Sequence, residues 1–186
     1  MTVSTSSTTE AGSTTEAGST TRVTRERAWE VAASVPDPEV PVLTIEDLGV
    51  LRSVDVAEDG TVQVRITPTY SGCPAMDTIR ADVERALAEA GFEPVRVELV
   101  LAPAWTTDWM SEAGKKKLAD FGIAPPGLDR LDRQGHGGVV SLSLSLRCPH
   151  CGSPDTRELS RFGSTACKSL WVCNACREPF DHFKAH

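Results

Sequence analysis

A chain of 186 residues leaves room for one ordinary domain and a small appendage. With 40% hydrophobic and 24% charged residues it reads as globular, and no stretch nears the ~18 consecutive apolar residues that span a bilayer, which excludes a membrane-spanning protein. A formal charge of −7 argues against nucleic acid as a general partner, because such binding needs Lys and Arg to neutralise phosphates.

The N-terminus lacks a basic-then-apolar export pattern, so the expected location is cytoplasmic. There thiols stay reduced, and six cysteines read as metal ligands or reactive groups rather than disulfides. The first 21 residues hold 13 Ser/Thr and repeat Ser-Thr-Thr-Glu-Ala-Gly from Ser7 and again from Ser13. Such a segment buries too little apolar surface to offset its ordering entropy, so residues 1–22 are expected to form a disordered tail.

From Thr24 to Val35, Ala28, Val31, Ala32 and Val35 recur at helical spacing, and Pro36 and Pro38 end the run. Val54 and Val56 alternate with polar residues, Glu58-Asp59-Gly60 supplies a turn, and Val62, Val64 and Ile66 alternate again; this is a hairpin. Cys73-Pro74 opens a second helix, with Pro74 suited to its first position. Met76, Ile79, Val83, Ala86, Leu87 and Ala90 form its buried stripe, and Gly91 stops it. Val95, Val97, Leu99 and Leu101 predict a third strand.

Trp105 and Trp109 flank Asp108 ahead of a short helix whose Lys115, Lys116 and Lys117 read as a solvated face. The tryptophans read as core or partner contacts. Leu142, Leu144 and Leu146 alternate with serines toward Cys148. The expected fold class is α+β. A helix–hairpin–helix–strand layer occupies 23–127, a linker 128–138, and a β-rich four-cysteine ribbon 139–186, with helices covering one face of the first sheet.

Cys148-Pro-His-Cys151 and Cys173-Asn-Ala-Cys176 are Cys-x2-Cys pairs 21 residues apart. Each turn aims two thiolates at one centre, and a β excursion of ~20 residues brings the pairs face to face. Four buried hydrophobic cysteines would not explain two pairs of matching internal spacing. Zinc is the default ion, with iron chemically allowed. With four protein ligands no position stays open for water, so the site is structural and contributes folding free energy to a segment too small to stand unaided. Gly152 follows the first pair where a knuckle often needs positive φ, whereas Arg177 follows the second. Residues 147–186 carry six Lys/Arg and four Asp/Glu. That formal +2 is cancelled by a tetrathiolate zinc at −2, so the ribbon comes out near neutral, whereas a nucleic-acid-binding ribbon should present a basic face.

Two thiols are left over. Cys73 precedes a helix N-terminus, which is expected to favour its thiolate and lower its pKa. The alternative is a partly buried thiol with no chemistry. Asp37 and Glu39 could lie near it if the first loop packs over the hairpin end. Cys167 has no partner pair and reads as a core thiol. His136, His150, His182 and His186 are scattered and form no pattern, and no complete catalytic set appears.

Asp37-Pro38-Glu39, Ile45-Glu46-Asp47-Leu48-Gly49 and Thr67-Pro68-Thr69-Tyr70-Ser71-Gly72-Cys73-Pro74 resemble the small domain associated with iron–sulfur cluster assembly. Three further stretches narrow this: Pro103-Ala104-Trp105-Thr106-Thr107-Asp108-Trp109-Met110, Phe162-Gly163-Ser164-Thr165-Ala166-Cys167-Lys168, and Glu178-Pro179-Phe180-Asp181. With them the chain, over residues 28–186, resembles the PaaD family of phenylacetyl-CoA ring-1,2-epoxidase components. The resemblance implies a cytoplasmic bacterial accessory protein of aerobic phenylacetate degradation. Its partners would be the oxygenase and reductase subunits that carry the di-iron and flavin/iron–sulfur groups.

The resemblance also implies a functional Cys73, with Asp37, Glu39 and Thr69 around the same site and iron or an iron–sulfur cluster bound there transiently. It places Cys167 in a family motif without giving it a role. One thiol cannot fill a cluster's usual four positions, so a homodimer or partner cysteines would complete the set. Two alternatives stand beside maturation: a stable structural subunit of the oxygenase, and a thiol-dependent redox protein using Cys73. The second lacks a resolving cysteine near Cys73 in sequence.

Overall fold

The computed structural model describes residues 15–127 and 146–185, with side chains from Thr24 onward. The 128–138 linker, residues 1–14 of the tail, Leu142, Leu144, His136 and His186 lie outside the described residues. The architecture is α+β, as expected, with three α-helices and two sheets among the described residues.

The first helix, α1 (Thr15–Ala33), buries Ala28, Ala32 and Ala33. It begins inside the segment expected to be tail: once a helix is nucleated against a core, each added residue gains a hydrogen bond. Strands β1 (Leu51–Val56) and β2 (Val62–Ile66) form the predicted antiparallel hairpin. Helix α2 (Ala75–Glu89) buries Met76, Ile79, Val83 and Leu87, the stripe read from the sequence. Pro74 sits one residue earlier than predicted, at the N-cap. The chain then returns as β3 (Val95–Leu99), parallel to β2, giving the order β1-β2-β3. As an edge strand β3 is less covered than its alternation implies: Leu101 lies beyond it, 63% exposed. Helix α1 packs on β1 and α2, and α2 on β3.

A short 3-10 turn (Thr107–Trp109) leads to α3 (Glu112–Asp120) and β4 (Ile123–Ala124). Beyond the linker come β5 (Thr156–Ser160), β6 (Lys168–Cys173) and β7 (Pro179–Phe183). The second sheet has the order β4-β7-β6-β5, so a strand from before the linker completes the ribbon by pairing parallel to β7. Two residues carry no periodicity, which is why β4 is invisible in the sequence. Leu146, predicted to lie in a strand, is buried but irregular, and its carbonyl accepts from Thr156 Oγ1 (2.7 Å).

The two sheets share one core. Cys167 and Phe183 of the ribbon belong to the same buried cluster as Ile45, Val64, Ile79 and Trp105. Trp105 is the seam: its ring meets Phe183 at 6.2 Å between centroids, and its Nε1 donates to the Leu48 carbonyl (2.8 Å). None of the described helices is long and apolar enough to cross a membrane.

Candidate functional site

The four ribbon sulfurs lie within 4.8 Å of one another. Cys148 and Cys176 are 3.7 Å apart, and Cys151 and Cys173 3.6 Å. A tetrahedral ion with metal–sulfur bonds of about 2.3 Å requires sulfur–sulfur edges of about 3.8 Å. The cage therefore has the size of a tetrathiolate metal site. Its two knuckles match bond for bond. Gly152 N–H donates to the Cys148 carbonyl (2.8 Å) and Arg177 N–H to that of Cys173 (3.0 Å). Cys148 N–H donates to the Ser153 carbonyl and Cys173 N–H to that of Glu178, both at 3.0 Å. Both residues after the pairs are left-handed, Gly152 at φ 73° and Arg177 at φ 68°. The second half thus has the full knuckle geometry despite lacking its glycine.

A second site lies where the α+β layer meets the ribbon. Asp37, Glu39, Thr69, Cys73 and Cys167 line one cavity of about 10 Å³, floored by Met76 and Phe183. The structure thus brings the four sequence-predicted residues together, and adds a thiol that sequence reasoning left without a role.

Each is placed by local chemistry. Pro36 and Pro38 force the first loop off the helix axis, and Asp37 Oδ1 accepts the N–H groups of Glu39 (2.9 Å) and Val40 (2.8 Å). Cys73 immediately precedes the N-cap Pro74 of α2, its carbonyl accepting the Met76 N–H (3.4 Å). Cys167 ends the loop between β5 and β6, whose motif now has a structural reason. Gly163 lets Asp181 Oδ1 come within 2.7 Å of where a Cβ would stand. Ser164 donates to Asp181 Oδ2 (3.1 Å), and Lys168 reaches the same oxygen (3.6 Å). Cys167 Sγ then lies 3.0 Å from Thr165 Oγ1 and 3.9 Å from Glu39 Oε2.

The other motif segments build the frame. Asp47 accepts from Thr44 N–H (3.0 Å), Ser111 hydroxyl (3.1 Å) and Lys117 (2.6 Å), tying α3 to the loop before β1. Burial works against its charge, yet these donors hold its carboxyl below the ordinary value. Trp109 lies against Gly49 and under Arg52, whose guanidinium sits 3.5 Å from the ring centroid. Lys115 and Lys116 pair with Glu112 and Asp120 on the helix surface, as expected of a solvated face.

The electrostatics of the cavity correct one expectation. The Cys73 thiol is pushed up, not down: burial dominates, Glu39 and Asp37 add to it, and the Ala75 N–H and Tyr70 hydroxyl offset it only in part. Burial likewise raises Cys167, with Glu39 and Asp37 again contributing against help from Thr165 and Lys168. Asp37 and Glu39 are raised by burial first, with Asp37 also raising Glu39. Four acids crowd one buried spot with Lys168 as the nearby cation, so the helix-end effect on Cys73 is outweighed. The ribbon's His182 also departs from the ordinary, pushed down to about 4 by burial and then by Lys184, with Ser169 Oγ 3.2 Å from its Nδ1.

Comparison with known proteins follows this division. Residues 137–184 match the PaaD zinc beta ribbon domain, and residues 25–99 the iron–sulfur cluster assembly protein family. An iron–sulfur protein maturation auxiliary factor of Porphyromonas gingivalis is 38% identical over 96 residues, which is 51% of this chain and 90% of that protein. The crystal structure of a domain of unknown function, DUF59, from Bacillus anthracis superposes with a TM-score of 0.51 at 25% identity, covering 54% of this chain and 96% of that one. An Escherichia coli protein described as a subunit of 1,2-phenylacetyl-CoA epoxidase is 47% identical over 156 residues, 84% of this chain and 90% of its own length. The chain belongs to the PaaD family of 1,2-phenylacetyl-CoA epoxidase components.

Proposed function

We propose that this chain is a non-catalytic, cytoplasmic accessory protein of a phenylacetyl-CoA epoxidase system. It helps mature the iron–sulfur or di-iron centres of the oxygenase and reductase subunits, its partners, by receiving iron transiently in the Cys73 cavity. The observation that carries this reading is the meeting of Asp37, Glu39, Thr69 and Cys73 in one partly buried cavity of a domain similar to iron–sulfur maturation factors. Such a cavity offers sulfur and carboxylate donors, the thiols giving up their protons as the ion binds, without the closed cage that would trap it.

Cys148, Cys151, Cys173 and Cys176 would hold a zinc ion whose part is structural. When bound, it supplies cross-linking of the two knuckles; four protein ligands leave no position for a reacting water. Burial, with Glu39 and Asp37, raises the Cys73 thiol and so weighs against the thiol-redox alternative, whose attacking thiol needs thiolate character. The working division keeps an α+β part over 23–127 and the ribbon over 139–186, with β4 joining them.

The test is co-expression of the oxygenase and reductase subunits with this chain, without it, and with Cys73→Ser. Iron content and epoxidation should fall together in the last two. Full iron loading without the chain removes the maturation role, and stoichiometric co-purification with a fully loaded oxygenase would instead favour a structural subunit.

A further inference from the structure

We infer that Cys167 of the ribbon, with Cys73 and Glu39 of the α+β layer, forms a single-ion site for a divalent transition metal, ferrous iron as cargo. This deepens the maturation reading and rests on it for the identity of the cargo.

Three observations carry it. The first is shared lining: all three residues face the same cavity, although 128 residues separate Glu39 from Cys167. The second is spacing. An ion bonded at about 2.3 Å to sulfur and about 2.1 Å to oxygen holds those atoms about 3.6 Å apart in a tetrahedron. Cys167 Sγ and Glu39 Oε2 stand at 3.9 Å, so a small closure brings both onto one ion. The third is volume. About 10 Å³ is the room one water-sized body needs. A rhomb of two irons and two sulfides has four heavy atoms and does not fit without opening the seam.

The three donors are not drawn together as the ribbon sulfurs are, so an incoming ion would have to close them around itself. The ribbon sulfurs all lie within 4.8 Å of one another, and among the described residues no other group of three or more His, Cys, Asp and Glu ligand atoms is so tight. Cys73 is only half-buried, whereas Cys167 is 3% exposed. An ion can therefore arrive at Cys73 and settle against Cys167 and Glu39. The ribbon's part is to carry that inner thiol: Cys167 adjoins β6, whose far end is Cys173 of the metal cage, and its carbonyl accepts the Lys184 N–H (2.9 Å) beyond β7. The pairing of β6 with β7, next to the ribbon cage, thus sets the register that presents the second thiol.

The experiment titrates Co2+ anaerobically into the full chain with its ribbon zinc in place. One further ion should bind, with sulfur-to-cobalt charge-transfer absorption and two sulfurs around cobalt by X-ray absorption. Cys73→Ser and Cys167→Ser should each halve the charge-transfer intensity and weaken binding at least tenfold; Glu39→Gln should weaken it several-fold with the charge transfer intact. Wild-type cobalt affinity in Cys167→Ser that still retains its zinc overturns the site, as does a sulfur count of one or none in the wild-type protein. That count decides the matter on its own if Cys167→Ser loses its ribbon.

The two readings fail separately. Cobalt binding indifferent to Cys167→Ser, alongside lost oxygenase iron in Cys73→Ser cells, removes this site and keeps the maturation role. Two-sulfur binding with normal oxygenase iron in Cys73→Ser cells keeps the site and removes the role.

Discussion

At the scale of single residues, two backbone positions carry most of what a side-chain inventory overlooks. Gly49 has φ 68°, and a Cβ there would stand 2.5 Å from the Trp109 carbonyl oxygen. Neither backbone can yield cheaply, because Trp109 is held by the 3-10 turn and Gly49 by its N–H to the Glu46 carbonyl (2.9 Å). Gly49→Ala should destabilise the protein by about 2–4 kcal/mol, combining left-handed strain with overpacking, and denaturant unfolding measures it. Arg177 is the opposite case, a side chain at φ 68° where its counterpart in the other knuckle is glycine. Arg177→Gly should raise stability by about 0.5–1 kcal/mol, since relief of strain exceeds the added chain entropy; a lower melting temperature refutes it.

Among elements, the β6–β7 pair is where pH should be felt. His182 on β7 stays neutral down to about 4 in the folded chain but titrates near 6.5 when unfolded. A base with a depressed folded value adds stability that is complete above about 6.5 and lost as pH falls toward about 4. The loss should be about 1–2 kcal/mol after allowing for the ring's partial exposure. Asp37 and Glu39 run the other way: their folded values are raised, so they favour the fold at low pH and lose that advantage as pH rises. The informative quantity is therefore the difference between wild type and His182→Gln across that window. Wild type should lose more stability than the variant as pH falls from about 6.5 toward about 4, and parallel profiles would refute the assignment.

Helix α3 offers a second element-scale test. Ser111 accepts the Gly114 N–H (2.8 Å) as N-cap and donates to Asp47 (3.1 Å). Ser111→Ala should cost about 1–2 kcal/mol, seen as lost amide protection in α3 and in the loop at Asp47.

For the whole molecule, the ribbon and the α+β layer are not beads on a string. The pairing of β4 with β7, the Trp105–Phe183 contact and the placement of Cys167 cross between them. Chelation of the ribbon metal should therefore loosen more than the ribbon. Hydrogen exchange in the stripped protein is expected to lose protection in β5, β6 and β7 and, with them, at Ile123 and Ala124. Unchanged protection at Ile123 and Ala124 would show two independent units.

The hairpin, α2 and the two Cys-x2-Cys pairs could be read from the chain because each rests on local spacing: alternation for strands, a 3.6-residue stripe for a helix, a fixed turn for two thiolates. Motif resemblance likewise singled out Asp37, Glu39, Thr69 and Cys73. What local spacing does not carry is proximity between distant segments. That decided the two-residue strand β4, the seam at Trp105, and the arrival of Cys167 beside Glu39. It also reversed the direction of the Cys73 pKa: a helix end is visible in sequence, but the burial and neighbouring carboxylates that outweigh it exist only once the chain has folded.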